Sequence, residues 1–174
     1  MNRAIVCTVA IAVASSIWMC TAFSASTDPI VTEAVINASI AEVWKEWTTK
    51  DGIESWMVAK TEIDLRVGGI WRTSYSRTSN LDDDESLRHI ILAYDPLKMF
   101  SMRTVKPPKS FPFQKSILNT WTVVYFEPVG ESRTKVTARM MGFGEDEESQ
   151  KMRGFFEIGN RTTLDNLVKK HLVK

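Results

Sequence analysis

The sequence predicts a single α+β domain that follows a short N-terminal export segment. The chain has 174 residues, of which 44% are hydrophobic and 25% charged, and this suits one globular domain with its own core. Helical patterns occur near the start and at the end of the chain, whereas the residues between them alternate with the two-residue period of strands. Helices that are separated from a run of antiparallel strands define the α+β class.

The N-terminal residues 1–25 have the pattern of a signal peptide. Arg3 precedes an apolar run from Ala4 to Ala14, and small residues at 22–26 offer a cleavage site. We therefore predict an exported protein, periplasmic or secreted, in which residues 28–174 form one domain. The alternative is an uncleaved membrane anchor, because no charged residue lies between Arg3 and Asp28. Serine and threonine residues in the second half of this stretch favour cleavage, after which we expect no stable membrane insertion.

The charge and cysteine content exclude several classes of function. The chain has 22 Lys+Arg against 21 Asp+Glu, so it lacks the basic excess that nucleic-acid binding requires. Both cysteines, Cys7 and Cys20, fall in the export segment. The mature domain therefore has no cysteine for a disulfide scaffold or for nucleophilic catalysis. No His/Asp/Glu cluster has metal-ligand spacing, and we predict neither a metal nor a cofactor.

The first elements of the domain are a strand and two short helices. Residues Ile30 to Asn37 alternate and are rich in β-branched side chains, which predicts a strand. Ser39 is a candidate helix N-cap, and Glu42 has the spacing of a capping box. Gly52 ends this helix, and Ile53 to Met57 can form a further turn of helix.

The middle of the chain predicts six further strands. They run from Thr61 to Val67, Ile70 to Arg77, Leu87 to Tyr94, Met99 to Val105, Ile117 to Phe126 and Arg133 to Met141. The acidic segment from Asn80 to Glu85 is interpreted as a solvated hairpin tip. A calcium site there is the disfavoured alternative, because the segment lacks the glycine and the distal glutamate of a calcium loop.

Two features at the end of the chain predict a cavity. Apolar residues form one broad stripe from Glu147 to Leu172, as expected of a long amphipathic helix. An open antiparallel sheet curls, and a helix laid in its concave side leaves space in which small apolar ligands bind. The loop from Lys106 to Phe113 contains three prolines, so we expect Phe111 and Phe113 to close over this space rather than stay in water.

The order of several short motifs resembles a known family. The motifs are the run from Val35 to Trp44, Trp56, the run from Asp64 to Gly69, Asp95-Pro96, and the run from Ser132 to Thr137. Together they resemble the SRPBCC (START/Bet v 1-like) superfamily, in particular the branch named after the activator of the Hsp90 ATPase. The resemblance implies a helix-grip fold: a curved antiparallel sheet wrapped around a long C-terminal helix, with two short helices after the first strand. It also implies a hydrophobic cavity, but no single activity.

Ten large apolar residues are the candidate cavity lining, because the resemblance places their elements around the cavity. They are Trp56, Trp71, Phe100, Met102, Phe111, Phe113, Trp121, Met140, Phe155 and Phe156. For any one of them, an ordinary place in the core is the alternative.

Catalytic residues have little support from the sequence, and the candidates are His89 and Tyr75. An inward-facing His89 could meet Arg72, Tyr75 or Tyr94, whereas the alternative is a hydrogen-bonded or solvated strand histidine.

These observations leave three hypotheses of function. The favoured one is an exported, non-enzymatic protein whose partner is a small hydrophobic molecule. The second is a cyclase- or hydrolase-like enzyme on the same fold, and the third is a co-chaperone-like interaction module. The predicted export argues against the third, because the chaperone is cytosolic in bacteria.

Overall fold

A seven-stranded antiparallel sheet dominates the computed structural model, which describes residues 25–172. The strands are β1 (Ile30–Ile36), β2 (Lys60–Ile63), β3 (Ile70–Ser74), β4 (Leu87–Asp95), β5 (Met99–Lys106), β6 (Trp121–Pro128) and β7 (Thr134–Met141). Their order across the sheet is β1-β7-β6-β5-β4-β3-β2. Consecutive strands from β2 to β7 are therefore neighbours, and the first strand closes the sheet beside the last.

Within residues 25–172, three α-helices and one 3-10 helix complete the fold. They are α1 (Ile40–Thr48), α2 (Lys50–Glu54), the 3-10 helix Ser116–Asn119 and α3 (Glu147–Lys170). The predicted capping box is present: Ser39 Oγ accepts from the Glu42 amide at 3.4 Å, and the Glu42 carboxylate accepts from the Ser39 amide at 3.0 Å. The curved sheet around one long C-terminal helix confirms the predicted α+β class and helix-grip fold.

Three predicted strands are shorter in the structure. β2 ends at Ile63 rather than Val67, because the following residues turn through Gly68, whose φ is +79°. The Gly68 amide donates to the Ile91 carbonyl at 2.8 Å, which fastens this turn to β4. β3 ends at Ser74 rather than Arg77. The 3-10 helix takes the place of the predicted start of β6, because the Ser116–Asn119 backbone bonds locally instead of joining the sheet.

Two hydrophobic clusters fill the space between the sheet and the helices. The main core joins α1, the central strands and the C-terminal part of α3, and its buried members include Ile36, Val43, Phe100, Phe126, Leu164 and Leu167. The second cluster comprises Ile30, Ile117, Met140, Phe143 and Met152, with Phe111, Phe113 and Phe156 packed against it.

The signal peptide predicted for the N-terminus, and the membrane anchor that is its alternative, concern residues that the structure does not describe. The predicted signal peptide and its anchor alternative lie outside the described residues, Ala25 excepted. Within residues 25–172, no helix has the length and apolar character needed to cross a bilayer.

Candidate ligand-binding cavity

A cavity of about 310 Å³ lies where the main core and the second cluster meet. Its lining is mostly apolar, and residues from both clusters contribute to it. Small-molecule sites usually enclose about 300–1,000 Å³, so this cavity is near the lower end of that range.

The sheet forms the floor of the cavity, and strand alternation decides which side chains reach it. In β3, Trp71 and Thr73 line the cavity, whereas Arg72 between them pairs with Glu62 and with Asp82 at 2.8 Å between Nη1 and Oδ1. His89 lies opposite Trp71 in the register of β3 and β4, so it shares the inner face.

The middle of α3 forms the opposite wall. Phe156, Asn160, Thr163 and Leu164 line the cavity, and their spacing of four, three and one residues places them on one side of the helix. The apolar stripe predicted for this helix is therefore confirmed in part, because Ile158 and Leu172 are exposed. The members that face the cavity or the core include Met152, Phe156, Leu164 and Leu167.

The proline-rich loop stands at the edge of the cavity. Phe111 lines the cavity, and its ring centroid lies 5.5 Å from Phe113, 5.8 Å from Phe155 and 6.1 Å from Phe156. We call these four residues the phenylalanine cluster. Phe155 remains 51% exposed, so the loop covers the cavity without removing all of this apolar surface from water.

The acidic turn holds this loop in place. Ser110 Oγ donates to the Glu85 carboxylate at 2.6 Å, and the Lys109 amide donates to the Asp84 carbonyl at 2.9 Å. Lys106 Nζ donates to the Asp83 carbonyl at 2.5 Å. The segment connects the paired strands β3 and β4, and Asp82, Asp84 and Glu85 are exposed, as expected of a solvated hairpin tip; its carboxylates and carbonyls also hold the loop beside the cavity.

His89 is a neutral polar group inside the cavity. Its Nδ1 lies 3.2 Å from the Thr104 hydroxyl, and its ring centroid lies 5.6 Å from that of Trp71, with the two rings tilted by 50°. Burial lowers the pKa of His89 to about 4, so the ring is uncharged at neutral pH. The expectation that it could meet Arg72 is wrong, because Arg72 pairs with carboxylates on the other face of the sheet. Tyr94 is not among the described residues that line the cavity.

Tyr75, the other catalytic candidate, lies at the edge of the cavity. It lines the cavity but remains 72% exposed. Desolvation by neighbouring protein atoms raises the pKa of its hydroxyl above the ordinary value of 10. The phenol is therefore protonated at neutral pH. Among the described lining residues there is no carboxylate with which His89 or Tyr75 could share a proton.

The structure places seven of the ten predicted lining residues at the cavity. They are Trp71, Met102, Phe111, Trp121, Met140, Phe155 and Phe156. Their role in ligand binding stays a prediction.

The other three, Trp56, Phe100 and Phe113, do not line the cavity. Phe100 is fully buried among four aromatic rings of the main core, including Trp71 at 6.1 Å. Trp56 packs at 4.9 Å from Trp47, and its indole N–H donates to the Glu46 carbonyl. Phe113 lies behind Phe111 and packs on Phe155.

Sequence reasoning missed the polar members of the lining. Thr73, Thr104 and Asn160 face the cavity, and Trp47 reaches it from α1. The alternation of β3 placed Thr73 on the same face as Trp71, and this was the available signal. Between residues 25 and 172, no group of three or more His, Cys, Asp or Glu residues is arranged to hold a metal ion.

This geometry defines a helix-grip protein with an apolar internal cavity. A family model described as activator of Hsp90 ATPase homolog 1-like protein matches residues 37–171, and the chain therefore belongs to this family of the SRPBCC superfamily. No curated protein gave a significant match in sequence.

Solved structures share the fold at low sequence identity. Protein MLL2253 from Mesorhizobium loti is 19% identical, with a TM-score of 0.64, over 81% of this chain and 94% of that chain. The Aha1 dimer from Colwellia psychrerythraea is 16% identical, with a TM-score of 0.65, over 83% and 96%. Norcoclaurine synthase from Thalictrum flavum, solved with dopamine and hydroxybenzaldehyde, is 11% identical, with a TM-score of 0.59, over 95% and 97%. At these identities the likeness concerns the fold.

Proposed function

We propose that the protein is an exported, non-enzymatic carrier that binds one small hydrophobic molecule, lipid-like or aromatic, between the sheet and α3. The cavity of about 310 Å³ is the observation that carries this proposal. Burial of apolar ligand surface would drive binding, at about 2.5 kcal/mol for each 100 Å² removed from water.

The test is binding of an apolar fluorescent probe, N-phenyl-1-naphthylamine, to the full chain after removal of copurified molecules. We expect saturable binding, together with a copurified apolar compound that mass spectrometry detects in the organic extract. Ala138→Phe places a ring in the cavity from β7 and should abolish saturable binding. Thr163→Phe does the same from α3, and it keeps the test informative if the first variant fails to fold.

Two results would contradict the carrier proposal. One is a wild-type protein that neither binds the probe nor yields an extracted compound. The other is a folded cavity-filling variant that binds the probe as well as the wild type does. Circular dichroism and thermal unfolding show whether each variant is folded.

Export is the second part of the proposal, and it rests on the sequence alone. Arg3 and the apolar run after it have the charge and length of a signal peptide. The mass of the intact protein from a periplasmic or culture fraction tests this. Loss of about the first 25 residues is expected. A full-length protein in the membrane fraction would favour the anchor alternative instead.

A cyclase- or hydrolase-like reaction is the alternative, because His89 lies in the cavity and a structural neighbour is a norcoclaurine synthase. Two features make it the weaker candidate. The low pKa of His89 makes it a weak base, and the described lining has no carboxylate to orient it. Turnover of the extracted compound that disappears in His89→Gln would favour the enzyme.

The family description supports a co-chaperone-like role as a further alternative. A pull-down from the protein's own host tests it. Recovery of an Hsp90-type chaperone would overturn both the carrier function and the proposed localisation.

A further inference from the structure

Two residues of the described cavity lining each have a polar side-chain atom that is buried without a hydrogen-bond partner in the protein. These atoms are the indole Nε1 of Trp47 and the hydroxyl oxygen of Thr73. Trp47 is 5% exposed, Thr73 is 2% exposed, and both residues line the cavity. A buried polar group that has lost water and gained no partner destabilises the folded protein, so such groups need a reason.

Comparable groups nearby do have partners. The indole N–H of Trp71 donates to the Thr61 hydroxyl at 2.8 Å. Two other threonine hydroxyls of the cavity lining donate to backbone carbonyls: Thr120 to Ile117 at 2.8 Å and Thr163 to Gly159 at 2.9 Å. Outside the cavity lining, the Nε atoms of Arg88 and Arg153 are also buried without a partner, but within the described lining only Trp47 and Thr73 have such an atom. Poor packing of the whole cavity therefore does not explain them.

The same part of the sheet holds a third polar group. Thr73 pairs with Leu87 and Trp71 pairs with His89, so Thr73 and His89 are diagonal neighbours on the inner face. The Nδ1 nitrogen of His89 lies 3.2 Å from the Thr104 hydroxyl on the next strand. The three residues Thr73, His89 and Thr104 thus form a polar band across β3, β4 and β5 on a mostly apolar floor.

This polar band carries no formal charge at neutral pH. Burial holds the pKa of His89 near 4, so its imidazole is neutral. Arg103 is the one permanently charged side chain in the described lining, and it is exposed at the edge of the cavity. A buried anion or cation would therefore lose its hydration without gaining an opposite charge inside the cavity.

We propose that the cavity selects an uncharged ligand that has an apolar body and at least one hydrogen-bonding oxygen, which Trp47 and Thr73 bind inside the protein. The inference rests on the proposed ligand-binding function and names the class of its ligand. The indole N–H can only donate, so the ligand must supply an acceptor there. A hydroxyl, ketone or ester oxygen meets this requirement, whereas a hydrocarbon or a carboxylate does not fit.

Two probes of nearly equal size test the proposal, namely 2-naphthol and 2-methylnaphthalene. Equilibrium dialysis with the full chain gives a dissociation constant for each probe. Their ratio reports the preference for a hydroxyl over a methyl group. We expect Thr73→Val, which keeps the shape and removes the hydroxyl, to lower this preference about three- to ten-fold. Trp47→Phe should also lower the preference for 2-naphthol over 2-methylnaphthalene.

Thr134→Val is the matched control. It is the same substitution at a buried threonine that does not line the cavity, and the hydroxyl that it removes already donates to the Ala38 carbonyl at 2.9 Å. The preference ratio should therefore stay at the wild-type value. Thr73→Val should also raise the thermal midpoint of the empty protein, since it removes an unsatisfied hydroxyl, whereas Thr134→Val should not.

The outcomes separate this inference from the proposed function. If neither probe binds the wild type, the ligand-binding function fails. If both probes bind and Thr73→Val leaves their ratio unchanged, the cavity binds ligands but the proposed polar recognition is wrong. Binding of 2-naphthoate as tight as that of 2-naphthol would also overturn the inference, because it would mean that the cavity accepts an anion.

Discussion

The middle and the C-terminal part of α3 differ in how they meet the sheet. Leu164 and Leu167 are buried in the main core, and Met152 is fully buried one turn before the cavity. Between them, residues 155–163 contain no buried side chain, although Phe156 and Asn160 point inward. The helix therefore bridges the cavity through residues 155–163, which we call the span, and it is fixed on both sides of the cavity. We call the buried residues on the two sides, Met152 and Leu164 with Leu167, the anchors. A continuous helix can keep the cavity open because its backbone hydrogen bonds need no support from side-chain packing in the span.

An ion pair and a histidine contact reinforce this difference at the end of the helix. The carboxylate of Glu46 in α1 lies 2.5 Å from Lys170 Nζ and 2.9 Å from His171 Nε2. Glu46 and His171 have side chains that are only about a tenth exposed. The first turn of α3 has an exposed pair instead, between Glu147 and Lys151 at 2.7 Å. The C-terminal anchor thus combines apolar burial with a partly buried charge cluster.

The largest expected effect is that of Leu167→Ala in the anchor. Leu167 is fully buried, and its truncation should lower the free energy of unfolding by about 2–5 kcal/mol. Urea denaturation followed by circular dichroism measures the loss. Ile158→Ala on the exposed side of the same helix is the control and should change stability by less than about 0.5 kcal/mol. Similar losses in both variants would mean that the anchor and the span do not differ.

The next effect concerns the charge cluster. Glu46→Gln removes the carboxylate that Lys170 and His171 share, and we expect a loss of about 1–3 kcal/mol because these groups are mostly withdrawn from water. The matched control is Glu147→Gln, which removes the exposed ion pair of the first turn and should cost less. Thermal unfolding at low salt measures both variants. A larger loss for Glu147→Gln would reverse the roles assigned to the two ends.

The sequence predicted the fold well because its signals are local. Ser39 and Glu42 mark the start of α1, and strand alternation separates the two faces of each strand. The same alternation could not separate Phe100 from Met102, which lie on one face of β5. Tertiary packing decides between them: rings from α1 cover Phe100, whereas Met102 reaches the cavity. The unpartnered hydroxyl of Thr73 has no sequence signal at all, because a missing partner is a property of the surrounding structure.

The next effect is the pH dependence that His89 contributes. Its folded-state pKa of about 4 lies below the ordinary value of 6.5, so the unfolded chain binds this proton first as the pH falls. Stability from this group is therefore complete above pH 6.5 and is lost between pH 6.5 and 4, by at most about 1.4 kcal/mol per pH unit. Urea denaturation at pH 7.5 and pH 5 should show a smaller loss in His89→Gln than in the wild type. Equal losses would mean that the imidazole is not withdrawn from water.

The smallest effect on stability is expected in the span, where Phe156→Ala tests whether binding and folding depend on different residues. Phe156 is half-buried and already borders open volume, so its truncation should cost only about 1 kcal/mol in unfolding. The same change removes a ring from the cavity wall and from the phenylalanine cluster, where it lies 5.3 Å from Phe155. Affinity for N-phenyl-1-naphthylamine should fall several-fold while the fold stays intact.

Leu167→Ala is the control and should do the opposite: it should lose stability with little change in affinity below its unfolding transition. If Phe156→Ala instead lowers the free energy of unfolding by several kcal/mol, Phe156 acts as an anchor. The residues that line the cavity would then also stabilise the fold of the domain.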